Sequence, residues 1–566
     1  MIENTNKLKL VLCWHMHQPE YRDLKSGEFK LPWTYLHVIK DYVDMVAHLE
    51  SIPKAKVVIN FAPILLEQID DYAQQINRHI RTGSSLNDPL LNALIASSPP
   101  EDLNQRWLLI KDCLRANKDR QINRYPHFSA LVELAEWLEK HYDTFQYIDQ
   151  QFMYDIVVWY HLAWLGESVK LSDKRIQILI KKGKNFNFED RLQLFQIIGE
   201  LISNVIDRYK VLAQTSQIEL SVTPYAHPII PLLLDLNCTH DAMPDALMPQ
   251  LQSYPKGKDR VLWHLNKGQE TFERYFGFKA KGCWPSEGSV SNQTLNILSD
   301  FGFTWTASGG SVLLNSLKHN HASETEISNT HHPYKLTETD IACFFRDDGL
   351  SDLIGFEYSK WQAEDAVNDF IKHLVNINEH EPGEKVVSII MDGENAWEYF
   401  PNNGYDFLNT LYIRLSSHPN IELCTFSDCL ENNSDILPLN NLTAGSWVYG
   451  TFSTWIGSID KNRGWDMLGD VKCAFDKAIM AKQLTPNQVN QAEAQLAVCE
   501  GSDWFWWFGD YNPGEAVSSF EKQFRLNLTN LYLLLGEEPP AYLALSFTQG
   551  HGDPTMGGAM RPGIEH

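Results

Sequence analysis

Eight short apolar runs, each of strand length and widely separated along the chain, are the feature that most restricts the fold. They occupy residues 8–14, 56–62, 218–223, 279–284, 303–306, 341–345, 386–391 and 422–426. Several runs are apolar throughout instead of alternating with polar residues, which is typical of strands buried on both faces of a parallel sheet. Segments with helical periodicity separate the runs, so the sequence predicts an α/β protein.

The spacing of the runs is uneven, and this predicts the domain organisation. Between residues 62 and 218 there is almost no strand pattern, and helical periodicity recurs at 128–142, 151–165 and 188–212. We therefore expect a helical insertion over about residues 64–215, carried within a catalytic domain of residues 1–435.

Helical patterns dominate the chain after residue 435. They occupy 466–482, 486–499 and 520–535, and the second of them begins with Thr485 as a candidate N-cap followed by Pro486. We expect a C-terminal helical domain over residues 436–550. Residues 551–566 are rich in glycine and proline, which predicts a flexible tail.

Composition and charge indicate which kinds of binding partner this protein is not expected to have. The 566 residues are 43% apolar and 21% charged, which is an ordinary globular composition. Acidic residues outnumber basic ones by 72 to 48, which gives a formal net charge of −24. A protein that binds nucleic acid or an anionic membrane needs a positive surface, so we expect neither partner. No segment approaches the roughly 18 consecutive apolar residues of a transmembrane helix, so none is expected.

The cysteines and the N-terminal segment predict the compartment. The nine cysteines are scattered without a C-x-x-C pair, and several lie inside apolar runs, where buried free thiols occur. The first residues lack the basic and apolar regions of a secretion signal. We therefore predict a reducing, cytoplasmic location and no structural metal site.

Functional side chains of barrels and open α/β sheets collect at the carboxyl ends of the strands. His15 and His17 follow the first run two residues apart, so they lie on one face of an extended segment. They could bind a metal, they could offer hydrogen bonds to a polyhydroxyl ligand, or one of them could be a buried structural histidine. His227 follows the third run in a proline-flanked segment, where a rigid turn could hold its ring or be purely structural.

Two carboxylates that follow later runs form a candidate catalytic pair. Glu287 comes shortly after Trp284, although a single Glu at a helix N-terminus is the simpler interpretation. Asp392, Glu394 and Glu398 place three acids at the end of a buried strand, and such a group needs a ligand, a cation or unusual protonation. A carboxylate pair can cleave a glycosidic bond, one attacking the anomeric carbon and the other protonating the leaving oxygen.

Aromatic residues make up 12% of the chain, and their faces could stack on sugar rings. For any single tryptophan, packing in the core is the alternative. The candidates near the motifs are Trp284, Trp397, Trp447, Trp455 and Trp465.

Taken in chain order, these segments resemble the five sequence regions that characterise glycoside hydrolase family 57, the family of amylase- and amylopullulanase-like enzymes. The matching segments are His-Met-His-Gln-Pro at 15–19, Thr-Pro-Tyr-Ala-His-Pro at 223–228, Gly-Cys-Trp-Pro-Ser-Glu at 282–287, Met-Asp-Gly-Glu-Asn-Ala-Trp-Glu at 391–398, and Thr-Trp-Ile-Gly at 454–457 with Asn462 and Trp465. Residues 345–352 and 502–510 are also similar to the family.

The resemblance implies an incomplete seven-stranded (β/α)7 barrel, followed by a helical domain that lends residues to the cleft. It implies a retaining mechanism on α-glucans, without a cofactor or a catalytic metal, in which Glu287 is the nucleophile and Asp392 the acid/base. The substrate-binding residues that we expect on this basis are His15, His17, His227, Trp284, Arg346, Asp347, Glu394, Trp397, Trp455, Trp465, Asp503 and Trp504.

The family is functionally mixed, so the activity stays open at this point. The Asp-Gly-Glu-Asn stretch at 392–395 favours an amylase or amylopullulanase over a branching enzyme. Such an enzyme hydrolyses α-1,4 bonds, with or without α-1,6 bonds, of starch, glycogen or maltodextrin. A 4-α-glucanotransferase on the same site is the first alternative. Two others belong to different classes: a metal-dependent carbohydrate hydrolase or deacetylase that uses His15 and His17, and a catalytically silent glycan-binding protein. The sequence does not predict an oligomeric state.

Overall fold

The computed structural model describes residues 7–323, 330–381, 383–431 and 435–552. Within them, ten strands form one curled sheet. The strands are β1 (Leu8–Met16), β2 (Val57–Phe61), β3 (Ile218–Val222), β4 (Gly282–Cys283), β5 (Trp305–Ser308), β6 (Tyr334–Leu336), β7 (Ala342–Phe345), β8 (Val386–Asp392), β9 (Ile421–Leu423) and β10 (Leu437–Leu439).

Seven of the strands lie side by side and parallel, in the order β8-β1-β2-β3-β4-β5-β7. An isolated parallel bridge between Arg346, just after β7, and Ser388 in β8 brings the first and last of these strands together. The backbone N–H of Asp347 donates to the carbonyl of Ser388 over 2.8 Å at the same place. The predicted incomplete seven-stranded (β/α)7 barrel is therefore confirmed.

The barrel interior is apolar along most of its length because alternate strand residues face inwards. Val11 and Cys13 of β1, Val58 of β2, Trp305 of β5 and Ile390 of β8 belong to one buried cluster. Side chains two residues apart in a strand share a face, so the next inward positions towards the carboxyl ends include polar residues. Those positions are His15 on β1, Asn60 on β2 and Asp392 on β8.

Helices surround the sheet and fill the chain after it. Their bounds are α1 (Trp33–His37), α2 (Val43–Ser51), α3 (Pro63–Thr82), α4 (Pro89–Ile95), α5 (Leu103–Cys113), α6 (Pro126–Lys140), α7 (Gln150–Trp164), α8 (Glu167–Ser172), α9 (Lys174–Lys182), α10 (Phe188–Gln214), α11 (Ile230–Leu234), α12 (Gly257–Phe276), α13 (Asn292–Phe301), α14 (Gly310–His319), α15 (Asp348–Asp352), α16 (Ala363–His380), α17 (Tyr405–Ser416), α18 (Phe426–Glu431), α19 (Ile459–Met480), α20 (Pro486–Cys499), α21 (Asp503–Trp507) and α22 (Gly514–Leu534).

Helices α3–α10 occupy the interval between β2 and β3, where the sequence predicts a helical insertion, and α19–α22 occupy the C-terminal part. Whether either group folds on its own stays a prediction, as do the domain boundaries. Apart from His551 and Gly552, the predicted tail lies outside the described residues. No helix among the described residues is long and apolar enough to cross a membrane.

Two strands and two helix starts differ from the sequence prediction. The three-residue strands β6 and β10 pair with each other and carry too few apolar residues to form a recognisable run. Helix α19 begins at Ile459, before the predicted residue 466, and α22 begins at Gly514, before the predicted residue 520. Their first turns contain charged residues and glycine, which mask the apolar periodicity.

Candidate active site

The end of β8 brings Asp392 to the mouth of the barrel next to β1. Asp392 is in register with His15, and the N–H of Gly393 donates to the His15 carbonyl over 2.7 Å. The side-chain amide of Asn395 donates to Asp392 Oδ2 over 3.0 Å. The carboxyl group is therefore fixed at the carboxyl end of the sheet, with one oxygen hydrogen-bonded to its own loop.

Glu287 lies in a single helical turn that follows β4, and its backbone is strained. Its φ of 57° is in the left-handed region, which a residue with a long side chain seldom adopts. The indole N–H of Trp447 donates to Glu287 Oε2 over 2.9 Å, and the Trp447 backbone N–H donates to the Glu287 carbonyl over 3.1 Å. These two bonds hold the strained turn and orient its carboxylate.

Both carboxyl groups bind protons more tightly than free carboxylic acids do. Burial, reinforced by the charges of Asp392 and Asp503, raises the pKa of Glu287 well above its usual value, against the lowering effect of the Trp447 hydrogen bond. Burial also raises the pKa of Asp392, with Asn395, His17 and Arg346 opposing it. Because two negative charges repel in a buried cleft, ionisation of both carboxyl groups at the same time is disfavoured.

Three histidine rings from two strand ends stack beside the carboxylates. The ring centroids of His17 and His227 are 3.8 Å apart, and those of His15 and His227 are 5.1 Å apart. His15 Nε2 lies 3.1 Å from His227 Nε2, and His15 Nδ1 lies 2.6 Å from the side-chain oxygen of Asn60. His227 Nδ1 also approaches Glu287 Oε1 to 3.9 Å. The cluster therefore links β1, β2 and the turn of the candidate nucleophile.

The buried histidines are neutral at ordinary pH. Burial and the neighbouring His17 lower the pKa of His15 to about 3, and burial lowers the pKa of His227 well below its usual value. One ring nitrogen from each of the three histidines lies within 4.8 Å of the others, so the group could hold a metal ion. The planes of the rings are inclined to one another by 15–17°, which aligns their nitrogens more as a stack than as a converging ligand set.

Ser502 and Asp503, which follow α20, bind to the histidine cluster. The Ser502 backbone N–H donates to the His227 carbonyl over 2.9 Å, and Ser502 Oγ lies 2.7 Å from His227 Nδ1. Asp503 Oδ1 accepts a hydrogen bond from His17 Nε2 over 2.8 Å. His17 Nδ1 therefore carries no proton when the ring is neutral, and it is buried without a hydrogen-bond partner among the described residues. This nitrogen can accept a hydrogen bond from a hydroxyl group of a ligand.

A buried ion pair anchors the segment that carries Ser502 and Asp503. The Glu500 carboxylate accepts hydrogen bonds from Tyr254 Oη at 2.6 Å, from Arg260 Nε and Nη2 at 2.9 and 2.8 Å, and from His264 Nε2 at 2.8 Å. Tyr254 precedes α12, and the other two partners lie on α12, which packs on the barrel. The C-terminal helices are thus tied to the barrel three residues before Asp503.

Glu394 is more deeply buried than Asp392, and it holds the segment 15–19 that carries His17. Its Oε1 accepts hydrogen bonds from Gln18 Nε2 at 3.0 Å and from Tyr42 Oη at 3.1 Å, and it lies 3.4 Å from the backbone N of His17. Burial and the charge of Asp392 raise its pKa well above the usual value. Glu394 therefore contributes to the position of His17 and is itself nearly inaccessible.

Arg346 and Asp347 lie at the seam between β7 and β8. Arg346 donates from Nε to the Ile390 carbonyl over 2.8 Å, pairs with Asp348 and Asp352, and has its Cζ 5.6 Å from the Trp447 ring centroid. The Asp347 carboxylate instead caps α15 and lies 3.0 Å from His331 Nε2. Arg346 therefore joins the site through Trp447, whereas the contacts of Asp347 are structural.

Apart from Trp447, the tryptophans predicted to contact the sugar all lie in the core. Trp284, Trp397, Trp455, Trp465 and Trp504 are at most 1% exposed, which does not favour a role in stacking on sugar. Their contacts support the loops of the site. The Trp397 indole donates to the Gly393 carbonyl, and Trp284 lies edge-on to Trp447 with ring centroids 5.2 Å apart. Trp447 itself is only partly buried.

Sequence reasoning did not identify several residues of this site. Trp447 was a candidate sugar platform, not the donor to Glu287, because the bond crosses 160 positions of the chain. Ser502 lies beside the predicted Asp503 but has no distinctive pattern. Asn60 could have been found, since an Asn at an inward position at the end of an apolar strand is unusual.

The family model described as glycosyl hydrolase family 57 matches residues 11–438. The chain is similar in structure to the α-amylase AmyC from Thermotoga maritima, with a TM-score of 0.54 and 12% identity over 95% of this chain and 96% of that chain.

Two branching enzymes of the same family are also similar in structure. The enzyme from Thermococcus kodakaraensis has a TM-score of 0.53 and 14% identity, with 96% of this chain and 92% of that chain covered. The enzyme from Pyrococcus horikoshii has a TM-score of 0.53 and 16% identity, with 98% and 99% covered. At such identities the likeness shows a shared fold. No curated protein sequence matches this chain.

Proposed function

Because this chain belongs to glycoside hydrolase family 57, and because the charge of Asp392 acts on Glu287 at the mouth of its barrel, we propose that it is a retaining enzyme of α-glucans. The observation that carries the proposal is the single site built from Glu287, Asp392 and the histidine cluster. Starch, glycogen or maltodextrin would be the substrate, and hydrolysis of α-1,4 bonds, with or without α-1,6 bonds, the reaction.

The proposed mechanism starts with Asp392 protonated and Glu287 ionised. Asp392 in its acid form protonates the glycosidic oxygen while the Glu287 carboxylate attacks the anomeric carbon, which gives a covalent glycosyl-enzyme. Asp392, now ionised, then takes a proton from water as the water attacks the same carbon. Donation by Trp447 supports the ionised form of Glu287, and His17 Nδ1 offers an acceptor for a sugar hydroxyl.

Substitution of each carboxylate tests the proposal. Asp392→Asn removes the acid/base and should lower turnover of maltoheptaose by at least about a hundredfold, and Glu287→Gln should abolish it. Asp340→Asn, on a surface side chain, is the matched control and should leave turnover unchanged. Near-normal turnover by either site variant, with the melting temperature of the wild type, would contradict the proposal.

Covalent trapping tests which carboxylate is the nucleophile. With an activated maltosyl fluoride, the Asp392→Asn variant should accumulate a glycosylated peptide that contains Glu287, since the second step lacks its base. If the roles were reversed, the label would accumulate on Asp392 in the Glu287→Gln variant.

The fate of the glycosyl-enzyme separates hydrolysis from transfer, and a 4-α-glucanotransferase is the alternative on the same site. Chromatography of the products of maltoheptaose should show shorter sugars alone for a hydrolase, and both longer and shorter sugars for a transferase. Maltotriose from pullulan would identify the amylopullulanase type.

The histidine cluster supports a second candidate, a metal-dependent carbohydrate hydrolase or deacetylase with His15, His17 and His227 as ligands. Such an enzyme would contain about one equivalent of zinc, and chelation would remove its activity. Elemental analysis before and after chelation, with the maltoheptaose assay, decides between the two. The cytoplasmic location stays a prediction, which cell fractionation tests.

A further inference from the structure

A tight turn between β10 and α19 carries two aromatic residues, Trp447 and Tyr449. Ser446 Oγ fixes this turn, since it accepts from the Val448 N–H at 3.1 Å and lies 2.8 Å from the Thr451 carbonyl. Trp447 is held against the candidate nucleophile by its two bonds to Glu287. The position of Tyr449, two residues later, is therefore fixed relative to the site.

The backbone of Tyr449 is strained although its side chain is exposed. Its φ is 58°, in the region that favours glycine, and its side chain is 46% exposed. Because the side chain is half exposed, its packing contributes little free energy to offset the strain of the backbone. Strain of this kind is common at binding sites, where the surrounding structure imposes it. The ring of Tyr449 is therefore a candidate for contact with a ligand.

A second exposed ring, that of Tyr511, is anchored to the same turn. Tyr511 is 46% exposed, and its hydroxyl accepts a hydrogen bond from Lys461 Nζ over 3.0 Å. The nearly buried Lys461 also donates to the Ser453 carbonyl over 2.8 Å, and Ser453 Oγ lies 3.0 Å from Thr451 Oγ1 in the turn. This chain of hydrogen bonds ties the Tyr511 ring to the turn that carries Tyr449.

We propose that Tyr449 and Tyr511 form a binding subsite for a glucose unit of the α-glucan, outside the linkage that is cleaved. An aromatic face packs on the C–H face of a pyranose ring, and a phenol hydroxyl at its edge hydrogen-bonds to sugar hydroxyls. The subsite is uncharged at its rings, which suits a neutral polysaccharide. The inference rests on the proposed function, because it takes its ligand from that site.

Substitution by glycine gives a sharp test at Tyr449. Tyr449→Gly removes the ring and relieves the left-handed backbone, so the variant should melt at the same temperature as the parent or higher. In the inactive Asp392→Asn background, isothermal titration calorimetry with maltoheptaose should show a Kd about 3- to 10-fold weaker for Tyr449→Gly and for Tyr511→Ala. Tyr449→Phe should keep most of the affinity.

The matched control is Tyr147→Ala, which deletes a ring 80% exposed on the helical segment between β2 and β3. It should leave the Kd for maltoheptaose unchanged. An unchanged Kd in Tyr449→Gly and Tyr511→Ala would overturn the subsite while leaving the proposed function intact. If the Asp392→Asn parent itself did not bind maltoheptaose, the α-glucan assignment would fail and the subsite with it.

Discussion

At the scale of single residues, the hydrogen bond from Trp447 to Glu287 has the most direct chemical consequence. Glu287 is raised in pKa by burial and by two nearby carboxylates, and the indole N–H is the group that opposes this rise. A nucleophile must be ionised to attack, so activity falls as the pH drops through its pKa. Trp447 therefore extends the active range of the enzyme towards acid.

Replacement of the indole donor should shift the acid limb. We expect Trp447→Phe to move the acid limb of kcat/KM for maltoheptaose upwards by about one pH unit, because a hydrogen bond to a charged group contributes about 1.5–3 kcal/mol and one pKa unit corresponds to about 1.4 kcal/mol. Trp455→Phe is the control, since that indole N–H has no partner among the described residues. An acid limb that stays in place would contradict this role of Trp447.

Asp503 should shift both limbs of the same profile in the other direction. Its negative charge raises the pKa of Glu287 and of Asp392, so Asp503→Asn should lower both values. The acid and alkaline limbs of kcat/KM should then both lie at lower pH. Asp503→Glu should restore the wild-type profile, and Asp510→Asn, on an exposed side chain, should not alter it. Movement of one limb alone would count against the prediction.

The sequence predicted the two carboxylates and the histidines of this site but not their partners. Glu287, Asp392, His15 and His17 follow apolar runs, so position alone makes them candidates. Trp447 lies in the turn between β10 and α19 and Ser502 lies after α20, and both reach the site only because the chain beyond the barrel folds back on it. Such long-range contacts leave no local pattern.

At the scale of secondary-structure elements, Glu500 joins α20 to α12. Burial alone would raise the pKa of Glu500, but Arg260 and His264 outweigh it and lower the pKa to about 2. This lowered pKa means that the ionised carboxylate stabilises the folded protein at pH above about 4.5. That stabilisation is lost as the pH falls towards about 2.

Removal of this charge should destabilise the protein without touching the carboxylate pair. Glu500→Gln should lower the free energy of unfolding by about 3–5 kcal/mol, because Arg260 is left buried without its counter-charge. The difference from wild type should be largest at neutral pH and should shrink in acid. Thermal melts across pH measure it, with the exposed Glu515→Gln as the control. Equal loss in the two variants would show that the buried pair is not the cause.

The strand pattern predicted a parallel α/β sheet because the strands are buried on both faces, whereas the barrel was implied by the family resemblance. All nine residues of β1 and the first six of β8 are buried, so their sequences are nearly continuous apolar runs. Short strands such as β6 and β10 lack this signal, since three residues cannot display a periodicity. The boundaries of α19 and α22 were displaced because the first turns of helices are often polar.

At the scale of the whole molecule, a net charge of −24 surrounds a site proposed for a neutral polymer. Long-range fields steer charged ligands and not neutral ones. The KM for maltoheptaose should therefore change by less than about twofold between about 0.05 M and about 0.5 M NaCl. Screening of the negative field should lower both limbs of the pH profile slightly over the same range. Steady-state kinetics at several salt concentrations measure both effects, and a steep rise of KM with salt would point to a charged substrate.

The division of the site along the chain has a consequence for hybrid proteins. The two carboxylates lie within residues 11–438, whereas Trp447 and Asp503, which tune their protonation, lie beyond it. A recombinant that joins the barrel of one relative to the helices of another would keep the reacting groups of the first parent. The pH dependence of its activity would come from the second parent.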